Sequence, residues 1–134
     1  MMSRGELRIS TSHPQEMIDI TTQVQHAVAG TGISEAVCML FNPHTTAGLT
    51  INEGADPDVR KDLLGALKVM VPHAYPYAHA EGNSPAHLMA TLTGNTVTVF
   101  VEQGRLRLGT WQHIFFCEYD GPRERTIWWK LIAG

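Results

Sequence analysis

The stretch Thr96-Val97-Thr98-Val99-Phe100-Val101-Glu102-Gln103-Gly104 decides the fold class. β-Branched and aromatic residues fill it, and Gln103-Gly104 supplies turn chemistry, so it reads as a strand running into a hairpin. Downstream, Leu106–Leu108, Thr110–Tyr119 and Thr126–Ile132 are strand-like, with Asp120-Gly121-Pro122 as the last turn. These runs predict an antiparallel meander. Helical patterns lie only upstream of it, which makes the chain α+β and not doubly wound.

Working back toward the N-terminus, Ser84-Pro85 opens a helix with Ser84 as its cap, ending near Leu92 with Gly94 just beyond. Residues 72–83 read as an irregular loop. Asp56-Pro57 starts a longer helix, with Val59, Leu63, Ala66 or Leu67, and Met70 inward and Arg60, Lys61, Asp62 and Lys68 outward. Leu49-Thr50-Ile51-Asn52-Glu53 alternates at period two. Ala36–Phe41 is a continuous apolar run ended by Asn42-Pro43, and the pattern predicts a strand buried on both faces. Leu7–Thr11 and Met17–Ile20 are strands. Between the second of these and Ala36, Thr21 or Thr22 caps a short helix with Val24, Ala27 and Val28 inward, closed by Gly30 and Gly32.

With 134 residues, 43% hydrophobic and 17% charged, residues 1–134 make one ordinary globular domain. Ten basic against thirteen acidic residues give a charge of −3, which removes the field that nucleic acid or anionic lipid would need. No apolar run reaches spanning length and the start of the chain has no apolar signal region, so a cytoplasmic protein is expected. Cys38 and Cys117 both sit in apolar runs and read as buried thiols.

Chemistry concentrates in Tyr77-Ala78-His79-Ala80-Glu81-Gly82-Asn83-Ser84-Pro85-Ala86-His87-Leu88. If Ser84 caps the helix, His87 stands at its third position, where the positive helix end disfavours imidazolium and leaves the neutral form that binds metals. A catalytic zinc takes three protein ligands. The third would be His44, or else His113; the plainer alternative is that His79 and His87 are loop and cap residues. His13, His26 and His73 read as surface or structural. Glu53 and Glu81 are candidate proton-transfer groups or supports for a ligating histidine. Glu118 follows Ile114-Phe115-Phe116-Cys117 and so needs a partner, with Arg123 and Arg125 past the next turn. One structural Glu–Arg pair across a hairpin is favoured over an arginine fork for phosphate. Gln112 can present an amide to a ligand. Trp111, Trp128 and Trp129 read as core or subunit-interface aromatics.

Four segments in register resemble the YjbQ-like family: His44-Thr45-Thr46-Ala47 with Asn52-Glu53; Tyr77–Asn83 with Ala86-His87-Leu88; Gly104–Gln112; and Glu118–Arg123 with Arg125. The likeness covers roughly residues 7–133. It implies a two-layer α+β fold with a bent or bifurcated, largely antiparallel sheet, forming a homotrimer with sites near subunit boundaries. It also implies a polar pocket with a divalent metal on His44, His79 and His87, zinc favoured and magnesium possible. The activity it implies is of the thiamine-phosphate synthase type, releasing pyrophosphate from a small phosphorylated substrate. On that reading Glu53, Glu81 and Glu118 handle protons, while Thr45, Thr46, Asn83, Gln112, Arg123 and Arg125 hold the substrate. The alternative is a trimer that binds metal or a small ligand without turnover. The chain departs from the family pattern at Thr93-Gly94-Asn95 and in its bulky Trp128-Trp129.

Overall fold

The computed structural model describes residues 3–134. Its elements run β1 (Arg4–Ser10), β2 (Glu16–Asp19), α1 (Thr21–Thr31), β3 (Ala36–Phe41), β4 (Ala47–Glu53), α2 (Pro57–Met70), α3 (Ser84–Thr93), β5 (Thr96–Glu102), β6 (Arg105–Leu106), β7 (Gln112–Glu118) and β8 (Glu124–Ala133). Every paired strand is antiparallel, in a five-stranded sheet ordered β1-β8-β3-β5-β6 and a three-stranded sheet ordered β2-β7-β4. The fold is α+β with curled antiparallel sheets.

Only part of the expected meander exists. β5 and β6 form a hairpin through Gln103 and Gly104, both at positive φ. β6 and β7, and then β7 and β8, lie in different sheets, so each turn carries the chain from one sheet to the other. Strand periodicity reports which face of a strand is buried, not which strand lies beside it.

The main core fills the space between the sheets. Leu40, Val99, Val101, Ile127 and Leu131 from the larger sheet meet Leu49, Ile114 and Phe116 from the smaller one, with Val24 and Val28 of α1 alongside. On the far side of the smaller sheet, Phe115, Cys117 and Met17 pack against Ala86 and Met89 of α3, with Leu63, Leu64 and Leu67 of α2 partly buried there. β7 is the middle strand and alternates between these two cores, which is why Ile114, Phe115 and Phe116 are all fully buried. Each such side chain is worth about 1.5–3 kcal/mol of burial.

Local differences have local causes. The cap position of α1 falls on Ile20, and the Asp19 carboxylate satisfies Thr21, accepting from its N–H at 3.0 Å and its hydroxyl at 2.7 Å. Gly32, at φ 71°, closes that helix, and Gly30 lies inside it. Asp56 caps α2 as expected, accepting from Asp58 N–H at 2.9 Å. Arg60, expected outside, instead lies over the Phe115 ring at 5.1 Å, a cation–π contact, while Met70 is exposed. The cap of α3 is Asn83 rather than Ser84, which moves His87 one position further into the helix. β3 is buried on one face only: Met39 and Phe41 are exposed. Among the described residues no helix is long and apolar enough to cross a membrane.

Candidate functional site

The loop leaving β3 carries Pro43, His44, Thr45 and Thr46. The loop between α2 and α3 carries His79, Glu81 and Asn83, and the first turns of α3 carry His87. The turn from β7 to β8 carries Asp120 and Arg123, with Arg125 on β8 itself. All of these line one cleft of about 420 Å³. A depression of about 410 Å³ adjoins it, shares His44, Thr45 and His87, and continues along α3 to Gly94 and Asn95.

At the mouth, the His79 and His87 rings stand edge to face with centroids 5.4 Å apart. His79 Nε2 is 3.9 Å from a carboxylate oxygen of Glu81, and both side chains are exposed. Arg123 is held by the turn it belongs to: its Nε donates to Asp120 O at 2.7 Å and its Nη2 to Asp120 Oδ2 at 2.9 Å. The same carboxylate oxygen accepts from Asn83 Nδ2 at 2.9 Å, so Asp120 ties the histidine-bearing loop to the arginine turn. Arg123 remains 52% exposed and is the accessible guanidinium of the cleft.

The floor is a buried ion pair. Arg125 donates from Nε to Glu118 Oε1 at 2.8 Å and from Nη2 to Glu118 Oε2, and its Nη2 also reaches Thr46 Oγ1 at 3.0 Å. Thr11 Oγ1 and the Asp120 N–H complete the shell around Glu118, at 2.8 and 3.0 Å. Burial by itself raises the Glu118 pKa, but the bonds from Arg125, Asp120 and Thr11 outweigh it and hold the carboxyl below its usual range. A fully buried carboxylate accepting four hydrogen bonds is a structural anion. It is poorly suited to proton transfer, and the fork of Arg125 is already spent on it.

Two of the expected residues stand elsewhere. Glu53 and Gln112 face each other at the far end of the β4–β7 ladder, six residues along from the Ala47–Glu118 pair that abuts the cleft, roughly 20 Å away at strand rise. Glu53 accepts from Asp56 N–H at 2.7 Å and Gln112 from Gly109 N–H at 2.8 Å. His113, the alternative third ligand, lies at that same end with its Nδ1 2.5 Å from Asp19 Oδ2. Asp120 is the residue the sequence reading passed over, taking Asp-Gly-Pro as a turn and nothing more. The signal was an acid three residues before an arginine within a single turn.

The three histidines do not form a ready metal tripod. His44 Nε2 lies 3.0 Å from the Thr126 N–H nitrogen, so that ring nitrogen is occupied by a peptide group. Among the described residues, no group of three or more His, Cys, Asp or Glu side chains is placed to hold a metal ion. One chain therefore does not fit the metal centre that the resemblance implies.

The family model for UPF0047 proteins of the YjbQ-like kind matches residues 5–134. UPF0047 protein YugU of Bacillus subtilis is 48% identical over 128 residues, spanning 95% of this chain and 97% of that one. UPF0047 protein MJ1081 of Methanocaldococcus jannaschii is 41% identical, spanning 94% and 91%. Among solved structures, a YjbQ/UPF0047 protein of Clostridium acetobutylicum superposes with a TM-score of 0.91 at 48% identity, covering 95% of this chain and 98% of its own. A protein of unknown function from Sulfolobus solfataricus superposes with a TM-score of 0.92 at 34% identity, covering 98% and 96%. With a family model matched over almost its whole length, and the cleft assembled from three of the four segments that carry the likeness, the chain belongs to the YjbQ-like, UPF0047 family.

Proposed function

We propose that the cleft takes a small phosphorylated molecule, with Arg123, His79 and His87 as the groups that meet its phosphate. The observation that carries this reading is the convergence on one polar cleft of an accessible guanidinium, the exposed imidazole of His79 and the half-buried imidazole of His87, next to Thr45. Guanidinium and imidazole N–H groups suit phosphoryl oxygens in geometry and charge. Glu81 beside His79 is the partner through which a proton would be exchanged. The reaction class this favours is one in which phosphate or pyrophosphate departs and Arg123 and the imidazoles neutralise the charge it carries away. Thiamine-phosphate synthase-type chemistry belongs to that class, and no step of the proposal runs through a metal ion. Two buried free thiols, Cys38 and Cys117, fit the reducing cytoplasm as its setting.

Titration with inorganic pyrophosphate tests the site. Wild-type protein is expected to bind it, Arg123→Ala about tenfold more weakly, and His79→Ala with His87→Ala more weakly still. Absence of binding at millimolar pyrophosphate would sink the proposal. A second reading, binding without turnover, is favoured by the exposure of His79 and Glu81, because departure of pyrophosphate leaves a reactive centre that water must not reach. Release of pyrophosphate from a panel of small diphosphates separates the two.

The proposal includes a homotrimer. Met39 and Phe41 of β3, Phe100 of β5, and Trp128 and Ile132 of β8 are exposed on the outer face of three adjacent strands. Val69 and Met70 at the end of α2, with Tyr75 just beyond, form a second apolar patch of different shape. Two unlike apolar patches on one chain suit a head-to-tail interface, which closes into a ring. The sheet face adjoins the cleft through His44 and Thr126, so a neighbouring copy seated there would help to wall it.

A further inference from the structure

β3 stops pairing with β8 at Phe41 opposite Trp128. Two residues further along that register, Thr126 would face Pro43, which has no N–H to give. The side chain of His44 fills this gap. Its Nε2 lies 3.0 Å from Thr126 N and 3.1 Å from Thr126 O. One nitrogen cannot accept from the N–H and donate to the carbonyl at once. A proton on Nε2 would point at the Thr126 amide hydrogen and orphan it, and buried N–H groups without partners are rarer than carbonyls left under-used. Nε2 is therefore the acceptor.

The consequence concerns the other nitrogen. A histidine that ligates a metal normally donates its second N–H to a carbonyl or carboxylate, which bares the ligating nitrogen. Here the second nitrogen accepts, so the proton of the neutral ring must sit on Nδ1. Burial and the neighbouring Arg125 charge both lower the His44 pKa, in keeping with a neutral ring. We infer that His44 serves the cleft as a hydrogen-bond donor through Nδ1–H to a phosphoryl oxygen of the ligand, and not as a metal ligand. It simultaneously continues the β8 ladder where β3 leaves off. This assignment rests on the reading of the cleft as an anion site, and it gives that site a donor whose direction is fixed by the sheet.

Nitrogen-15 NMR of the full-length protein, labelled at histidine and arginine, tests it with zinc chloride and inorganic pyrophosphate as separate probes. The expected result is a His44 ring protonated at Nδ1 and bare at Nε2, unmoved by zinc, whose Nδ1–H signal shifts on pyrophosphate together with those of His79, His87 and Arg123. His44→Gln, which keeps an acceptor for the Thr126 N–H, should leave exchange of that amide within about threefold of wild type. His44→Ala should speed it by about tenfold, the scale of one hydrogen bond. If pyrophosphate moves His79 and Arg123 but not His44, or if Nε2 carries the proton, or if zinc shifts the His44 ring, the assignment is wrong while the anion site stands. If pyrophosphate moves none of these signals, the anion site falls and the assignment falls with it.

Discussion

At the scale of single residues, the buried Glu118–Arg125 pair has the largest energetic stake. Removing one member of such a pair leaves a charge without compensation and costs about 3–5 kcal/mol. Glu118→Gln should therefore lower stability by roughly that amount at pH 7, read as a fall in the denaturant midpoint with an unchanged slope. The pH dependence has a definite sign. The folded pKa of Glu118 lies below its ordinary value of 4.5, so the unfolded chain takes up the proton first as pH falls. The wild-type advantage is complete above pH 4.5 and disappears as pH drops through the lower folded value. The gap between wild type and Glu118→Gln should accordingly close in acid; a gap that is constant with pH would show that the carboxylate charge contributes nothing. The pair itself was legible, because a carboxylate ending an apolar run requires a partner and two arginines follow within seven residues. What pattern could not reveal is that Glu118 and Arg125 belong to different sheets, so their bond staples the sheets beneath the cleft.

At the scale of elements, the placement of His87 depends on how closely α3 lies against β4. Gly48 makes that approach possible: a Cβ there would come within 2.8 Å of the Thr93 side chain and 3.0 Å of Gly94 O. Leu49 N–H donates to Gly94 O at 3.0 Å, pinning the end of the helix to the strand. Gly48→Ala must push the helix end away, a form of overpacking that costs about 1–3 kcal/mol. Because His44 and His87 reach the cleft from the two sides of this contact, the substitution should also weaken pyrophosphate binding several-fold; an unaffected titration would mean that α3 does not set the cleft geometry. The elements were legible because their signals are local: the Asp56-Pro57 start of α2, the Gly94 stop of α3 and the period-two strands all depend on neighbouring residues. The cleft was half legible for the same reason. Segments whose residues are close in sequence, such as His79 to His87, arrived together, whereas Glu53 and Gln112, chosen for the chemistry of their side chains, lie at the other end of their ladder.

At the scale of the whole molecule, the outer face of the larger sheet is the unfinished part of the chain. Ala36–Phe41 is apolar at every position, yet half of those side chains face outward with no element among the described residues over them. A continuous apolar run is the pattern of a strand covered on both sides, and in the proposed homotrimer another copy would supply the second cover. Phe41 and Trp128 stack at 5.7 Å on this face, at the last pair of the β3–β8 ladder, so a charge there should block assembly without disturbing the inner core. Trp128→Glu is expected to sediment as a single 14.8 kDa chain with unchanged circular dichroism, and wild type is expected at three times that mass. Val69, 86% exposed on α2, tests the opposite patch, and Val69→Glu should also give single chains. Mixing the two variants then discriminates between geometries. In a head-to-tail ring each interface joins a sheet face to a helix patch, so the intact sheet face of Val69→Glu can still receive the intact helix patch of Trp128→Glu. The mixture should form a pair that cannot close, with twice the single-chain mass. A sheet-to-sheet interface would instead leave Val69→Glu assembled on its own and the mixture without mixed pairs, and that outcome would overturn the ring.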